Sequence, residues 1–226
     1  MTTALPPHPH VPGTAGYGAD PAALAAQYES ITFADVHGSA LHLYPPAPSR
    51  VLDIGAGSGR DAAALARAGH QVVAAEPTAG LRQAGQRIHA GLPIEWVDDH
   101  LPALAVLRAG GRRFDLVLLT AVWMHLDDAE RAAAMPAVAE LLAPGALLVI
   151  SLRHGPVPAG RRMFDVSAEE TMALGARHGL ALVHHGTRGD AQGRADVHWS
   201  IVGLRAPDAA PHSPPAPVHS AQQAPI

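Results

Sequence analysis

The stretch Val51-Leu-Asp-Ile-Gly-Ala-Gly-Ser-Gly-Arg60 sets Asp53 near the end of an apolar run, then glycine at alternate positions before an alanine-rich segment. Glycine has no Cβ and tolerates positive φ, so a backbone carrying Gly55, Gly57 and Gly59 can turn tightly and approach a ligand closely. The helix predicted to follow presents free backbone N–H groups beside that turn. Asp53, at the strand end, can accept hydrogen bonds from a ligand's amino or hydroxyl groups, and Ala56 completes the loop. This is the chemistry of a nucleotide-like cofactor site.

The dinucleotide fingerprint requires its third glycine five positions after the first. That position here is Arg60, which disfavours a nicotinamide cofactor. The pattern Asp-x-Gly-x-Gly-x-Gly instead resembles the first motif of class I S-adenosylmethionine (SAM)-dependent methyltransferases, and later segments follow the same order. Gln71–Ala75 reads as a second strand ending at Glu76-Pro77, and a carboxylate there can accept from both hydroxyls of a ribose. Ile94–Val97 reads as a short third strand ending at Asp98-Asp99, where the resemblance implies a carboxylate beside the adenine amino group. Asp98, the first residue after the strand, is the preferred partner, with Asp99 free to cap the next helix. Arg60 and Asp61 open the helix after the loop and either orient the amino-acid end of the cofactor or pair at the surface. The resemblance covers roughly residues 50 to 204. It implies SAM as cofactor, S-adenosylhomocysteine as product, no metal, and a small-molecule methyl acceptor.

The acceptor side is read from the next two strand ends. Ligands of doubly wound sheets lie outside the carboxyl ends of the strands. Phe114–Thr120 is a fourth strand, so Thr120 falls beside the cofactor. In the segment that follows, Trp123 is expected to pack on cofactor or substrate and His125 to serve as a base, its ordinary pKa being near neutrality. The alternative is a core tryptophan and a histidine bonded to backbone. Ala146–Leu152 is the fifth strand, and Arg153 and His154 leave it at the same edge. Arg153 and His154, with Arg161 and Arg162 further on, can clamp a carboxylate or phosphate. The competing reading pairs Arg161 and Arg162 with Asp165, Glu169 or Glu170. His154 is a second candidate base. Phe33 and His37, ahead of the first strand, belong to a segment that the resemblance places over the acceptor pocket.

Other branches of chemistry are excluded. The chain has no cysteine, which removes disulfides, thiolate nucleophiles and cysteine-ligated zinc, and with them cytosine-C5 and arsenite methyltransferases. All 16 basic residues are arginine, which removes lysine bases and Schiff bases. The proline-rich run of amino-group methyltransferases is missing after the fourth strand. Metal-dependent catechol enzymes bring an aspartate to this strand end, where Thr120 stands; Asp115 is at the other end of the strand.

These residues need a scaffold that alternates strand and helix. The pattern predicts an α/β fold: a Rossmann-like, doubly wound, mainly parallel sheet with helices on both faces. The resemblance adds seven strands with the last antiparallel, inserted beside the sixth. Residues 1–19 and 206–226 read as flexible tails, residues 20–49 as a helical cap segment and residues 50–205 as the SAM-binding domain. Asp20 and Pro21 start a short helix. Asp127-x-x-Glu130 and Ser167-x-x-Glu170 read as capping boxes, and Pro136 is expected to kink or divide the first of these helices. His8, His10, His212 and His219 lie in the tails, where solvated sequence outweighs metal binding. His184, His185 and His198 fall on late strands as structural or surface residues.

With 226 residues and 48% hydrophobic content, the chain can bury one substantial core. A net charge of −4 offers no general attraction to nucleic acid or anionic membrane. There is no signal-peptide pattern and no apolar run of membrane-spanning length, so a cytoplasmic protein is expected. Two rival readings remain: a SAM-fold binding or partner protein without methyl transfer, and an NAD-type oxidoreductase. The sequence leaves the oligomeric state open.

Overall fold

The computed structural model describes residues 11–209. Strands β1 (Arg50–Ile54), β2 (Gln71–Ala75), β3 (Ile94–Val97), β4 (Phe114–Thr120), β5 (Leu142–His154), β6 (Ala181–Gly189) and β7 (His198–Arg205) form one sheet. Its order is β3-β2-β1-β4-β5-β7-β6, with β7 antiparallel to both neighbours and the other pairings parallel. This is the predicted seven-stranded, Rossmann-like architecture.

Alternation along the strands supplies two cores, because successive side chains point to opposite faces. Leu52, Ile54, Val117, Leu119, Leu148 and Ile150 face the larger one. Val51, Leu116, Leu118, Leu147 and Val149 face the smaller. Against the smaller core lies α3 (Arg60–Arg67), which buries Ala62, Leu65 and Ala66. Helices α6 (Asp128–Glu140) and α7 (Ala168–Arg177) contribute to the larger core. The remaining helices are α1 (Pro21–Glu29), α2 (Phe33–His37), α4 (Ala79–Ile88) and α5 (Ala105–Ala109).

Local sequence explains most helix starts. The Asp20 side chain accepts from the Ala23 N–H ahead of Pro21. The Asp127–Glu130 box is complete. At Ser167 only half a box forms: its hydroxyl accepts from the Glu170 N–H, while the Glu170 carboxylate turns to the buried Arg131. Helix α6 runs through Pro136 as one element. Pro136 and Ala132 are both exposed, so water can satisfy the carbonyl that the proline leaves without a donor.

The expected tails need correction. Residues 11–19 include a turn of 3-10 helix at Pro12–Thr14 and form one wall of the pocket described below. At the other end Pro207 accepts a hydrogen bond from the Gly145 N–H at 3.0 Å. His8, His10, His212 and His219 lie outside the described residues. Among the described residues, no helix is long and apolar enough to cross a membrane.

Candidate cofactor and substrate site

A cavity of about 370 Å³ opens at the carboxyl edge of the sheet, a volume suited to a small ligand. The glycine loop forms its floor between β1 and α3. Gly55, Gly57 and Gly59 have φ of 70°, 60° and 86°. A Cβ at Gly55 would lie 2.5 Å from a Val122 methyl, and one at Gly59 would lie 2.6 Å from the Trp96 ring. Conformation and close approach both exclude a side chain at these two positions.

The loop is anchored to the end of β2. Gly55 and Ala56 donate to the Ala75 carbonyl at 2.8 and 3.0 Å, and Gly57 donates to Glu76 Oε2 at 2.8 Å. Glu76 Oε1 accepts from the Thr78 N–H at 2.7 Å. The carboxylate thus ties the loop to the start of α4, keeps acceptor capacity beyond these two bonds, and lines the pocket. Burial pushes the Glu76 pKa up, against hydrogen bonds from Thr78 and Gly57 and the charge of Arg82.

Asp53 is buried beneath the loop, with Oδ2 lacking a hydrogen-bond partner among the described residues. Burial, then repulsion from Asp61, drives its pKa well up; Arg60 and the Ala62 N–H oppose this. Asp61 behaves oppositely. Burial raises its pKa, but His37 at 2.9 Å and Arg60 at 2.7 Å outweigh that and hold it below the usual carboxylate range. Thr120, opposite Ser151 in the sheet, also lines the cavity, and its hydroxyl has no partner among the described residues.

The opposite wall comes from residues distant in sequence. His125 Nδ1 lies 2.7 Å from the Arg162 carbonyl and Nε2 lies 2.8 Å from the Tyr17 hydroxyl. A carbonyl can only accept, so the imidazole proton sits on Nδ1 and Nε2 receives the phenol. Burial lowers the His125 pKa. The Arg161 guanidinium stacks 3.6 Å above the Tyr17 ring.

The cavity therefore brings together Asp53, Gly55, Ala56, Gly57, Arg60, Asp61, Glu76, Pro77, Asp99, Thr120, His125 and Arg153. Six expected site positions do not line the cavity. Asp98 turns away to pair with Arg82 at 2.8 Å; Asp99 lines the cavity, its carboxylate accepting from the His100 and Leu107 N–H groups. Trp123 is fully buried in the larger core. His154 leaves the pocket because β5 continues through it: its Nε2 lies 2.9 Å from the Ser200 hydroxyl and its ring stacks on His198. His37 is buried between Asp61 and Tyr44 and positions Asp61. Phe33 packs on His37 and Tyr44 instead of lining the cavity. Gly59 closes the loop behind the lining residues as the N-cap of α3. Arg162 pairs with Asp127 and Glu130, not with the acidic residues expected.

Sequence reasoning missed Tyr17, Tyr28, Arg188 and Trp199, which also line the cavity. Tyr17 stands in a proline- and glycine-rich stretch without periodicity, so nothing local marked it. Arg188 was accessible to the strand-end rule, because β6 closes at Gly189. Among the described residues no group of three His, Cys, Asp or Glu could hold a metal ion.

A family described as a methyltransferase domain matches residues 27–184. The ubiquinone biosynthesis O-methyltransferase of Cereibacter sphaeroides is 38% identical over 126 residues, covering 54% of this chain and 48% of that protein. An uncharacterized methyltransferase of Mycobacterium bovis is 32% identical over 130 residues, covering 54% of this chain and 64% of that one. The chain thus spans about half to under two thirds of the curated relatives it matches. Among solved structures, a Burkholderia thailandensis 1,6-didemethyltoxoflavin-N1-methyltransferase with bound S-adenosylhomocysteine superimposes with a TM-score of 0.61 at 22% identity, covering 84% of this chain and 80% of that one. The 4+2 cyclase SpnF superimposes with a TM-score of 0.58 at 15% identity, covering 82% and 80%. Such low identities establish the shared fold alone. With the family match spanning more than half its length, the chain belongs to the methyltransferase-domain family.

Proposed function

We propose that the protein transfers a methyl group from SAM to an oxygen or nitrogen of a small, anionic metabolite. One observation carries the reading: the glycine loop, Glu76 and two buried oxygens without partners among the described residues, Asp53 Oδ2 and Thr120 Oγ1, border the same cavity. Unsatisfied buried polar atoms call for a polar ligand. The donor set fits SAM, with Glu76 for the ribose diol, Asp99 at the adenine end, and Asp53, Arg60 and Asp61 toward the amino-acid end. The O- and N-methyltransferases among similar proteins support the same chemistry.

When bound, SAM supplies a methyl carbon already activated by its sulfonium. The chain's own work is to align the acceptor and exclude water. His125 carries its proton on Nδ1, so Nε2 can take a proton from the acceptor once Tyr17 gives up that position. Its lowered pKa keeps the imidazole neutral and able to accept. Arg153, at the end of β5, offers a guanidinium to the acceptor's negative group.

Isothermal titration with SAM, S-adenosylhomocysteine and NAD tests the cofactor. Binding of the first two and not the third is expected; a preference for NAD overturns the reading. A metabolite extract incubated with methyl-labelled SAM then identifies the acceptor. The presence of a cyclase among proteins of this fold favours one alternative, a protein that binds SAM without transferring its methyl group. Tight SAM binding with no labelled product from any extract would establish that alternative.

A further inference from the structure

The guanidiniums of Arg153, Arg161 and Arg188 all border the cavity. Arg153 on β5 and Arg188 on β6 are both paired in register with Trp199 on β7 between them. Directly opposed residues of neighbouring strands share a sheet face, so the three form one row, and all three line the cavity. The Arg188 guanidinium sits 4.9 Å from the centre of the Trp199 ring. Arg161 enters from the loop after β5, over Tyr17.

Arg153 and Arg188 are held alike. Arg153 Nη1 donates to the Pro156 carbonyl at 2.8 Å and Arg188 Nη1 to the Gly189 carbonyl at 3.1 Å. In each the Nε–H is buried without a partner among the described residues, as is Nη1 of Arg161. Nearby carboxylates do not relieve them. Asp190 is taken by Arg194 at 2.7 Å and by the Trp199 indole N–H at 3.0 Å. Asp196 acts on Arg153 only through its field, as do Asp35 and Asp61 on Arg188. Burial lowers the pKa of both arginines, and Arg194 adds repulsion at Arg153. These half-buried guanidiniums keep buried N–H donors unfilled and make no ion pair among the described residues, so they can receive an anion from the cavity side.

We propose that Arg153, Arg161 and Arg188, beside the Trp199 indole, form a subsite that anchors a carboxylate or phosphate group of the methyl acceptor. This deepens the proposed function and rests on the cavity being the acceptor pocket. Arg188, Arg161 and Trp199 thereby become specificity determinants, with Arg194 and Asp190 holding Trp199 in place.

The test uses the full chain without SAM, titrated calorimetrically with benzoate, phenyl phosphate and benzamide. Benzamide has the shape of benzoate without its charge. Benzoate or phenyl phosphate is expected to bind about tenfold or more tightly than benzamide, the scale of a lost charge-assisted contact. The tighter of the two anions identifies the group anchored. Arg188→Gln and Arg153→Gln should each cost about tenfold in that affinity, with an unchanged thermal midpoint. Equal binding of anion and amide by the wild-type chain, or no binding of either anion, overturns the subsite and depends on no variant. Undiminished anion binding in both variants overturns it as well. SAM is titrated separately: anion binding without SAM binding would sink methyl transfer and leave the subsite standing, and the converse would do the reverse.

Discussion

The Tyr17 hydroxyl lies 2.8 Å from His125 Nε2, although 108 residues separate them. The rings meet edge-on, with centroids 5.3 Å apart. Because the Arg162 carbonyl fixes the proton on Nδ1, the tyrosine occupies the one lone pair with which His125 can act as a base. Tyr17→Phe should therefore leave SAM affinity within about twofold and change the pH profile of kcat, whereas His125→Gln should lower kcat outright. A normal kcat in His125→Gln would remove it as the base.

Stability should also report on His125. Burial, with repulsion from Arg161 and Arg162, puts its folded pKa below the ordinary 6.5. Between these two values the unfolded chain binds more protons than the folded one, so stability falls as pH drops through that window. His154 and His184 are lowered too, chiefly by burial, and add to the slope. Denaturant midpoints measured from about pH 7 to about pH 5 should fall less in His125→Gln than in the wild type. Equal slopes would show that His125 protonates as readily folded as unfolded.

Asp61 should behave differently over the same range. Its depressed pKa means that its stabilisation is present above the unfolded value of about 3.9 and lost only as pH falls through the lower folded value. Asp61→Asn leaves His37 and Arg60 buried without their anion, at a cost of about 3 kcal/mol. The deficit should be similar at about pH 7 and about pH 5 in urea titrations. A deficit that vanished at the lower pH would show that Asp61 is already protonated there.

Glu76→Gln should weaken SAM binding by about 1.5–3 kcal/mol, the scale of a charge-assisted hydrogen bond. A SAM analogue without ribose hydroxyls should lose little further affinity in that variant. Simple additivity of the two changes would separate Glu76 from the ribose. Thermal unfolding provides the control, since Glu76 also receives the Gly57 and Thr78 N–H groups.

Gly57→Val should abolish detectable SAM binding in a chain that still unfolds cooperatively. The φ of 60° imposes about 1–2 kcal/mol of strain on any other residue, and a Cβ would stand 3.3 Å from the Tyr28 ring. Gly91→Ala is the matched control: its φ is 90°, with nothing within 4 Å of the added carbon. That variant should lose stability and keep its SAM affinity. Retained SAM binding in folded Gly57→Val would take the loop out of the site.

The strand series from β1 to β4 and the glycine loop were legible because each is written locally, as an apolar run closed by a turn or a carboxylate. Errors arose where side-chain direction decided the outcome. The fifth strand was expected to end at Leu152, which would have sent Arg153 and His154 out together. It continues to His154, and a period of two then puts them on opposite faces. After β4, Ala121 takes φ of 59° and the 3-10 turn Trp123–His125 rotates Trp123 into the core while His125 stays at the cavity. Asp98 and Asp99 were separated by partners, Arg82 and the start of α5, that adjacent sequence does not name. The wall from Val11 to Tyr17 is held by contacts with Arg161 and His125, far along the chain, and no periodicity could reveal it.

The antiparallel insertion of β7 has a consequence for how the molecule can diversify. Strand β6 runs toward the cavity and β7 runs away from it, so the connecting residues 190–197 form a hairpin loop at the cavity rim. The strands that carry the glycine loop, Asp53 and Glu76 lie across β4 and β5 from it. Lengthening or replacing that hairpin loop reshapes one wall and leaves the hydrogen bonds of the opposite half intact. The sheet order thus separates the half that carries the glycine loop, Asp53 and Glu76 from a rim that, between its Asp190 and Arg194 anchors to Trp199, is free to vary.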